Sequence, residues 1–180
     1  HLLASTIPNC VSYDPTFGYE LAVIIQNGME RMFQNHENIY FYITVMNENY
    51  NHPKMPEGVE KEILAGMYLF QEAEEASIQL MGSGTILREV IDAAKTLDED
   101  YGIVANVWSV TSFNELRKNG LDTARWNLLN PSAPKKQTFV EEQLAEHNGP
   151  CIAATDYMKT YADQIREFVP QKYYTLGTDG

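Results

Sequence analysis

With 180 residues, 44% of them hydrophobic, the chain has material for one domain or for parts of two, and 25 acidic against 13 basic side chains leave a net charge of −12. That balance, without a basic cluster, argues against a nucleic acid or an anionic membrane surface as partner, and no apolar run approaches the ~20 residues of a membrane span. Cys10 and Cys151 are too few and too far apart for a zinc site or a disulfide scaffold, and read as two reduced, buried thiols of a cytoplasmic protein.

Residues 5–13 read as a connection into a short strand at Cys10 to Tyr13, broken by Asp14-Pro15. A helix follows from Thr16 to Phe33, with Asp14 and Glu20 at its start, where the helix dipole favours carboxylates. Ile39 to Met46 is the strongest strand signal. It is apolar on both phases, as expected of a strand covered on both faces. The polar stretch 47–58 sits just past the carboxyl end of that strand, where open α/β sheets place ligands. Glu57 to Phe70 reads as a helix and the acidic run Gln71 to Ala76 as a linker, which puts a domain boundary at about residue 75.

From Ser77 to Val110 the pattern is strand, glycine turn, helix, strand: a right-handed βαβ unit. Ile86, Val90, Ile91, Ala94 and Leu97 stripe one helix face, with Thr85 as expected N-cap, Arg88 and Glu89 on the outer face and Gly102 as the stop. Ser112 and Glu115 have capping-box spacing for a short helix Phe113 to Lys118, ended by Asn119-Gly120. A second short helix is expected over Leu121 to Leu129. After the loop 130–137, Phe139 to His147 reads as a helix and Cys151 to Ala154 as a buried strand. Thr155 or Asp156 then caps a helix Tyr157 to Val169, and Tyr173 to Leu176 reads as a last strand. This alternation argues for a doubly wound, mainly parallel α/β sheet in residues 76–180.

Chemistry-bearing motifs are sparse. Gly82-Ser83-Gly84 lies between a strand and a helix, where free N–H groups attract anions, but it lacks the third glycine and the acidic residue of a dinucleotide site. It reads as a plain tight turn or, less favoured, as an anion contact. His36 and His147 sit at helix ends and read as solvated. His52 shares its loop with Asn47, Glu48, Asn49, Tyr50 and Asn51, which either line a cleft or satisfy one another. No pair of histidines has metal-ligand spacing, and a phosphate loop and a nucleophile elbow are absent from the sequence.

The strings IPNCVSYDPTFGYELAVII, YITVMNENYNHPKMPEG, LMGSGTILREV, VWSVTSFNELRKNG, ARWNLLNP, ATDYMKTYADQIREFVP and LGTDG, in that order, resemble the homodimeric E1 component of the bacterial pyruvate dehydrogenase complex. The resemblance implies residues 1–75 as the C-terminal part of the pyrimidine-binding (middle) domain. Residues 76–180 would be a transketolase C-terminal-like domain, truncated at its end. The implied parent protein is an enzyme that uses thiamin diphosphate and Mg2+ to decarboxylate pyruvate oxidatively. It passes the acetyl unit to the lipoyl group of the dihydrolipoyl acetyltransferase E2, and works as a cytoplasmic homodimer.

The segments that hold and activate the cofactor in that family are not among these residues. The 180-residue piece is therefore expected to be inactive alone, with no cofactor or metal bound. His1 matches the end of the family's histidine-rich loop, so His1 and His52 are the substrate-proximal candidates. Catalytic, cofactor and metal residues are expected elsewhere. A second reading makes the acidic piece a non-catalytic module for dimerisation or E2 docking; a third, a nucleotide-binding protein, rests on Gly82–Gly84 alone.

Overall fold

The computed structural model describes residues 1–179. Its leading part holds a two-stranded parallel sheet, β1 (Cys10–Tyr13) beside β2 (Tyr40–Ile43), joined by helix α1 (Gly18–Met29) and one π-turn, Glu30–Gln34. The crossover from β1 through α1 to β2 is the strand–helix–strand order expected there. The strand β2 is shorter than Ile39–Met46, and it is not covered on both faces: Tyr40 and Tyr42 are each 43% exposed. Apolar runs identify a strand but not how many of its faces are packed.

Helix α2 spans only Glu60–Ala65, not Glu57–Phe70. Gly66 ends it at φ +119°, a conformation L side chains rarely adopt, and a Cβ there would sit 2.7 Å from the Ser112 carbonyl oxygen. The chain then enters β3 (Tyr68–Gln71), which pairs antiparallel with β5 (Ala105–Ser109). The larger sheet has the order β3-β5-β4-β6-β7, completed by β4 (Ile78–Gly82), β6 (Cys151–Met158) and β7 (Tyr173–Thr178), all parallel apart from β3.

Strand alternation gives this sheet two faces and hence two cores. Leu80 and Val107 turn toward helix α3 (Ile86–Tyr101), where they meet Leu87, Val90 and Ala94. Met81, Trp108 and Ala153 turn the other way, toward α4 (Phe113–Leu129), α5 (Phe139–Leu144) and α6 (Thr160–Asp163). The sheet is thus doubly wound, as expected. The βαβ unit from β4 through α3 to β5 is parallel in register from Ile78↔Ala105 to Gly82↔Ser109, and Gly102 closes α3 at φ +63°.

Several local expectations yield to packing. Thr85 does not cap α3: it already has αR dihedrals, and its side chain makes no cap hydrogen bond. Gly120 does not break α4, which runs unbroken to Leu129, because the Phe168 ring lies against the glycine where any Cβ would stand. Ser112 does cap α4 by accepting from the Glu115 N–H, whereas the Glu115 carboxylate turns instead to Lys118 at 2.7 Å. Neither Thr155 nor Asp156 starts a helix, since β6 continues through both to Met158. The stretch read as a helix from Tyr157 to Val169 is instead α6 plus a short 3-10 turn, Arg166–Phe168. Helix α5 stops at Leu144, three residues before His147.

Candidate functional site

In an open parallel sheet the usual ligand crevice lies at the carboxyl ends of the strands where the order reverses, here between β4 and β6. That crevice holds Gly82-Ser83-Gly84, and the chain itself fills it. The Gly84 N–H donates to the Asp14 carbonyl at 3.0 Å, and Thr16 Oγ1 donates to the Gly84 carbonyl at 2.7 Å. A Cβ on Gly84, at φ +50°, would meet the Asp14 carboxylate at 2.5 Å. The anion at this turn is therefore the protein's own Asp14, and the nucleotide-site reading falls with that observation.

A substantial cavity lies beside this latch. It is a groove of about 490 Å³ walled by Leu2, Leu3, Ile7, Cys10 and Met158, with His1 and four tyrosines completing the lining. Asn114, the second residue of α4, anchors His1 by donating from Nδ2 to its carbonyl at 3.0 Å. The imidazole is boxed by Tyr42 from β2, Tyr157 from the end of β6 and Tyr161 from α6, with ring centroids 5.1, 5.1 and 5.0 Å away. Burial pushes the Tyr157 phenol up to about 12 and Tyr161 well above its ordinary value, so both rings stay neutral near pH 7.

His1 Nε2 lies 3.0 Å from Thr44 Oγ1, and Thr44 Oγ1 lies 2.5 Å from Asp14 Oδ1. Asp14 is only 6% exposed. Burial raises its pKa, while hydrogen bonds from Thr44, Ser83 and Tyr157 pull the other way. His1 Nδ1 and Asn114 Oδ1 are buried without a hydrogen-bond partner among the described residues. An imidazole held among neutral aromatics at the end of an apolar groove can give or take a proton from a small bound molecule.

His52 occupies a different place. Its Nδ1 accepts the Gly18 N–H at the start of α1 at 3.0 Å, and its ring lies 4.5 Å from Tyr50. Tyr50 donates to the Thr16 carbonyl, and Arg88 of α3 reaches over the loop, 2.9 Å from Glu48 and 4.6 Å above the Tyr50 ring. The loop 47–52 is thus a strap between α1 and α3 beside a smaller cavity of about 220 Å³, and the structure does not bring His52 to the His1 groove. His36 is exposed, as expected. His147 is not simply solvated: its Nδ1 lies 3.1 Å from Asn106 Nδ2, and its ring meets Trp108 edge-on at 5.0 Å.

Sequence reasoning missed Asp14, Thr44, Tyr42, Tyr157 and Tyr161. One signal was present: Tyr40, Tyr42 and Thr44 share a strand phase, so a single face carries two phenols and a hydroxyl. A second buried carboxylate, Glu20, was read as a helix-start residue. It does close α1 by accepting from the Phe17 N–H at 2.9 Å, but it also accepts from Tyr68 and Ser109 in the larger sheet. Both cysteines are free and buried. Among the described residues no helix is long and apolar enough to cross a membrane, and no group of three or more His, Cys, Asp or Glu is arranged to hold a metal.

Residues 1–53 match the family described as the pyruvate dehydrogenase E1 component middle domain, and residues 66–180 match the transketolase-like TK C-terminal domain. Over its whole length the chain is 59% identical to the pyruvate dehydrogenase E1 component of Pseudomonas aeruginosa and 47% identical to that of Escherichia coli K12. It spans only 21% and 20% of those two relatives. The solved transketolase of Campylobacter jejuni superposes with a TM-score of 0.66 at 18% identity, over 99% of this chain and 23% of that one. Identity that low speaks for the fold alone.

Proposed function

We propose, from the premise that this chain belongs to the family of transketolase-like C-terminal domains, that it is part of the E1 subunit of a pyruvate dehydrogenase complex. The observation that carries the proposal is an alignment over the entire chain, at 59% identity, with a protein named as that component. The parent reaction is then the oxidative decarboxylation of pyruvate. The acetyl unit passes to the lipoyl group of a dihydrolipoyl acetyltransferase E2, within a cytoplasmic homodimer. In the same reading residues 1–75 end the pyrimidine-binding domain and 76–180 form the C-terminal domain. The pairing of β3 with β5 carries residues ahead of 75 into the larger sheet.

The cofactor of this reading is thiamin diphosphate with Mg2+. The described residues do not fit it: they hold no metal-ligand cluster, and Asp14 occupies the one glycine turn suited to a phosphate. The groups that bind it belong, in this proposal, to the rest of a protein about five times as long. What these residues contribute is the His1 groove, with His1 facing the substrate. His52 stands at the rim of the neighbouring strap as the second substrate-proximal candidate. The test is pyruvate-dependent CO2 release by the intact protein with thiamin diphosphate and Mg2+. His1→Gln is expected to lower kcat by about 10- to 100-fold, the scale of losing a group that orients the reacting ones. Absence of pyruvate turnover in the unmodified protein would refute the proposal.

A further inference from the structure

We infer that Thr44 and Asp14 are positioning residues for His1, which hold its imidazole in the tautomer with the proton on Nε2 and leave Nδ1 as a free base. A threonine hydroxyl has a single proton to donate. Thr44 Oγ1 lies 2.5 Å from Asp14 Oδ1, 3.0 Å from His1 Nε2 and 3.4 Å from the Tyr13 carbonyl oxygen, and the Tyr157 hydroxyl, which has a proton of its own to donate, also reaches it. The hydroxyl donors around Asp14 (Thr44, Ser83 and Tyr157) favour its ionised form against the burial that opposes it, and in that form the carboxylate, like the carbonyl, can only accept and is both the stronger acceptor and the nearer one. The Thr44 proton therefore goes to Asp14, and only lone pairs remain for His1. The contact with His1 is then a hydrogen bond only if Nε2 carries the proton.

The other ring nitrogen follows by difference. A neutral imidazole with its proton on Nε2 has a lone pair on Nδ1, and Nδ1 is buried with no hydrogen-bond partner among the described residues. Buried polar atoms are rarely left unpaired, and this one belongs to a side chain that lines a groove of about 490 Å³. That atom is covered in this structure, so a bound molecule reaches it with a donor only where the imidazole or a wall of the groove shifts on binding. Asp14 is itself fixed from several sides. Ser83 and Tyr157 bond to its carboxylate, the Gly84 N–H binds its carbonyl, and the neighbouring charge of Asp156 opposes its ionisation. The line from the β4 turn through Asp14 and Thr44 to His1 thus ties the groove's imidazole to the sheet's switch point. Such outer partners set the tautomer and aim of a functional histidine in many proteins.

The catalytic consequence rests on the reading of the groove as substrate-facing; the tautomer does not. Both are measured in the intact protein, with histidine rings labelled with 15N and the His1 signals assigned by their loss in His1→Gln. The unmodified protein and Thr44→Ser are expected to show one protonated nitrogen, Nε2, and one bare nitrogen, Nδ1. In Thr44→Val, which keeps the shape and removes the hydroxyl, the two signals should move toward an average of both tautomers. In parallel, kcat for pyruvate should fall about 10- to 100-fold in Thr44→Val, the scale of losing an orienting partner, with KM little changed and Thr44→Ser restoring the rate. A proton on Nδ1 in the unmodified protein, or ring signals that Thr44→Val leaves in place, overturns the inference. Ring signals that respond to Thr44→Val while His1→Gln keeps full turnover would uphold the relay and refute the substrate role.

Discussion

Tyr68 and Ser109 stand directly opposite each other on β3 and β5, and both donate to the same atom, Glu20 Oε1, at 2.7 and 2.6 Å. The other oxygen, Oε2, accepts the backbone N–H groups of Thr16 at 2.6 Å and Phe17 at 2.9 Å. One fully buried carboxylate therefore closes the first turn of α1 and ties it to the larger sheet.

The four donors make Glu20→Ala and Glu20→Gln sharply different. Alanine strands two N–H groups that cannot turn away, and we expect a loss of about 3 kcal/mol or more. Glutamine can present its oxygen to Thr16 and Phe17 and its amide to the two hydroxyls, whose protons rotate, so a loss within about 1 kcal/mol is expected. Urea unfolding of the two variants side by side measures the difference; equal losses would contradict it.

Burial raises the pKa of both Glu20 and Asp14, and burial is the largest cause in each. A carboxyl raised in the folded state binds its proton more tightly there than in the unfolded chain. The stability it contributes is complete below the unfolded value of about 4 and declines as pH rises through the folded one. Glu20→Gln removes one of these two slopes. Its stability should fall less steeply than that of the unmodified protein as pH rises from about 4 toward neutrality.

Gly120 lies under Phe168, and a Cβ at that position would overlap the ring. Gly120→Ala improves the helix propensity of α4 by about 1 kcal/mol, but overpacking against a buried ring costs about 1–3 kcal/mol, so net destabilisation is expected. Phe168→Leu added to Gly120→Ala should recover part of the loss, and a double-mutant cycle by chemical denaturation reads the coupling.

The strap 47–52 is held by weaker contacts. The Arg88–Glu48 pair is 36% and 59% exposed at its two side chains, so Arg88→Ala should cost no more than about 1 kcal/mol, and less in high salt. His52→Ala removes the acceptor for the Gly18 N–H and should cost about 1 kcal/mol, as loss of a helix cap does. Amide hydrogen exchange confined to residues 16–20 and 47–52 is the expected signature in both variants, as against global loosening.

How much of this was legible beforehand depended on whether the cause was local. The βαβ unit of β4, α3 and β5, the stop at Gly102 and the cap at Ser112 all arise from periodicity or from one residue's own conformational preference, and the sequence alone determined them. So did the family resemblance, carried by long strings of side chains. Tertiary structure alone decided that Met67–Gln71 leaves the helix for a strand, that β6 runs on through Thr155, and that α4 tolerates Gly120. It also decided that Thr44, itself bonded to Asp14, meets His1. Each of those depends on a partner dozens of residues away: β5 for Tyr68, Phe168 for Gly120, the Gly84 turn for Asp14. Local propensity is worth tenths of a kcal/mol per residue, whereas a buried hydrogen bond or a filled core position is worth one to several, so the distant partner prevails where the two disagree.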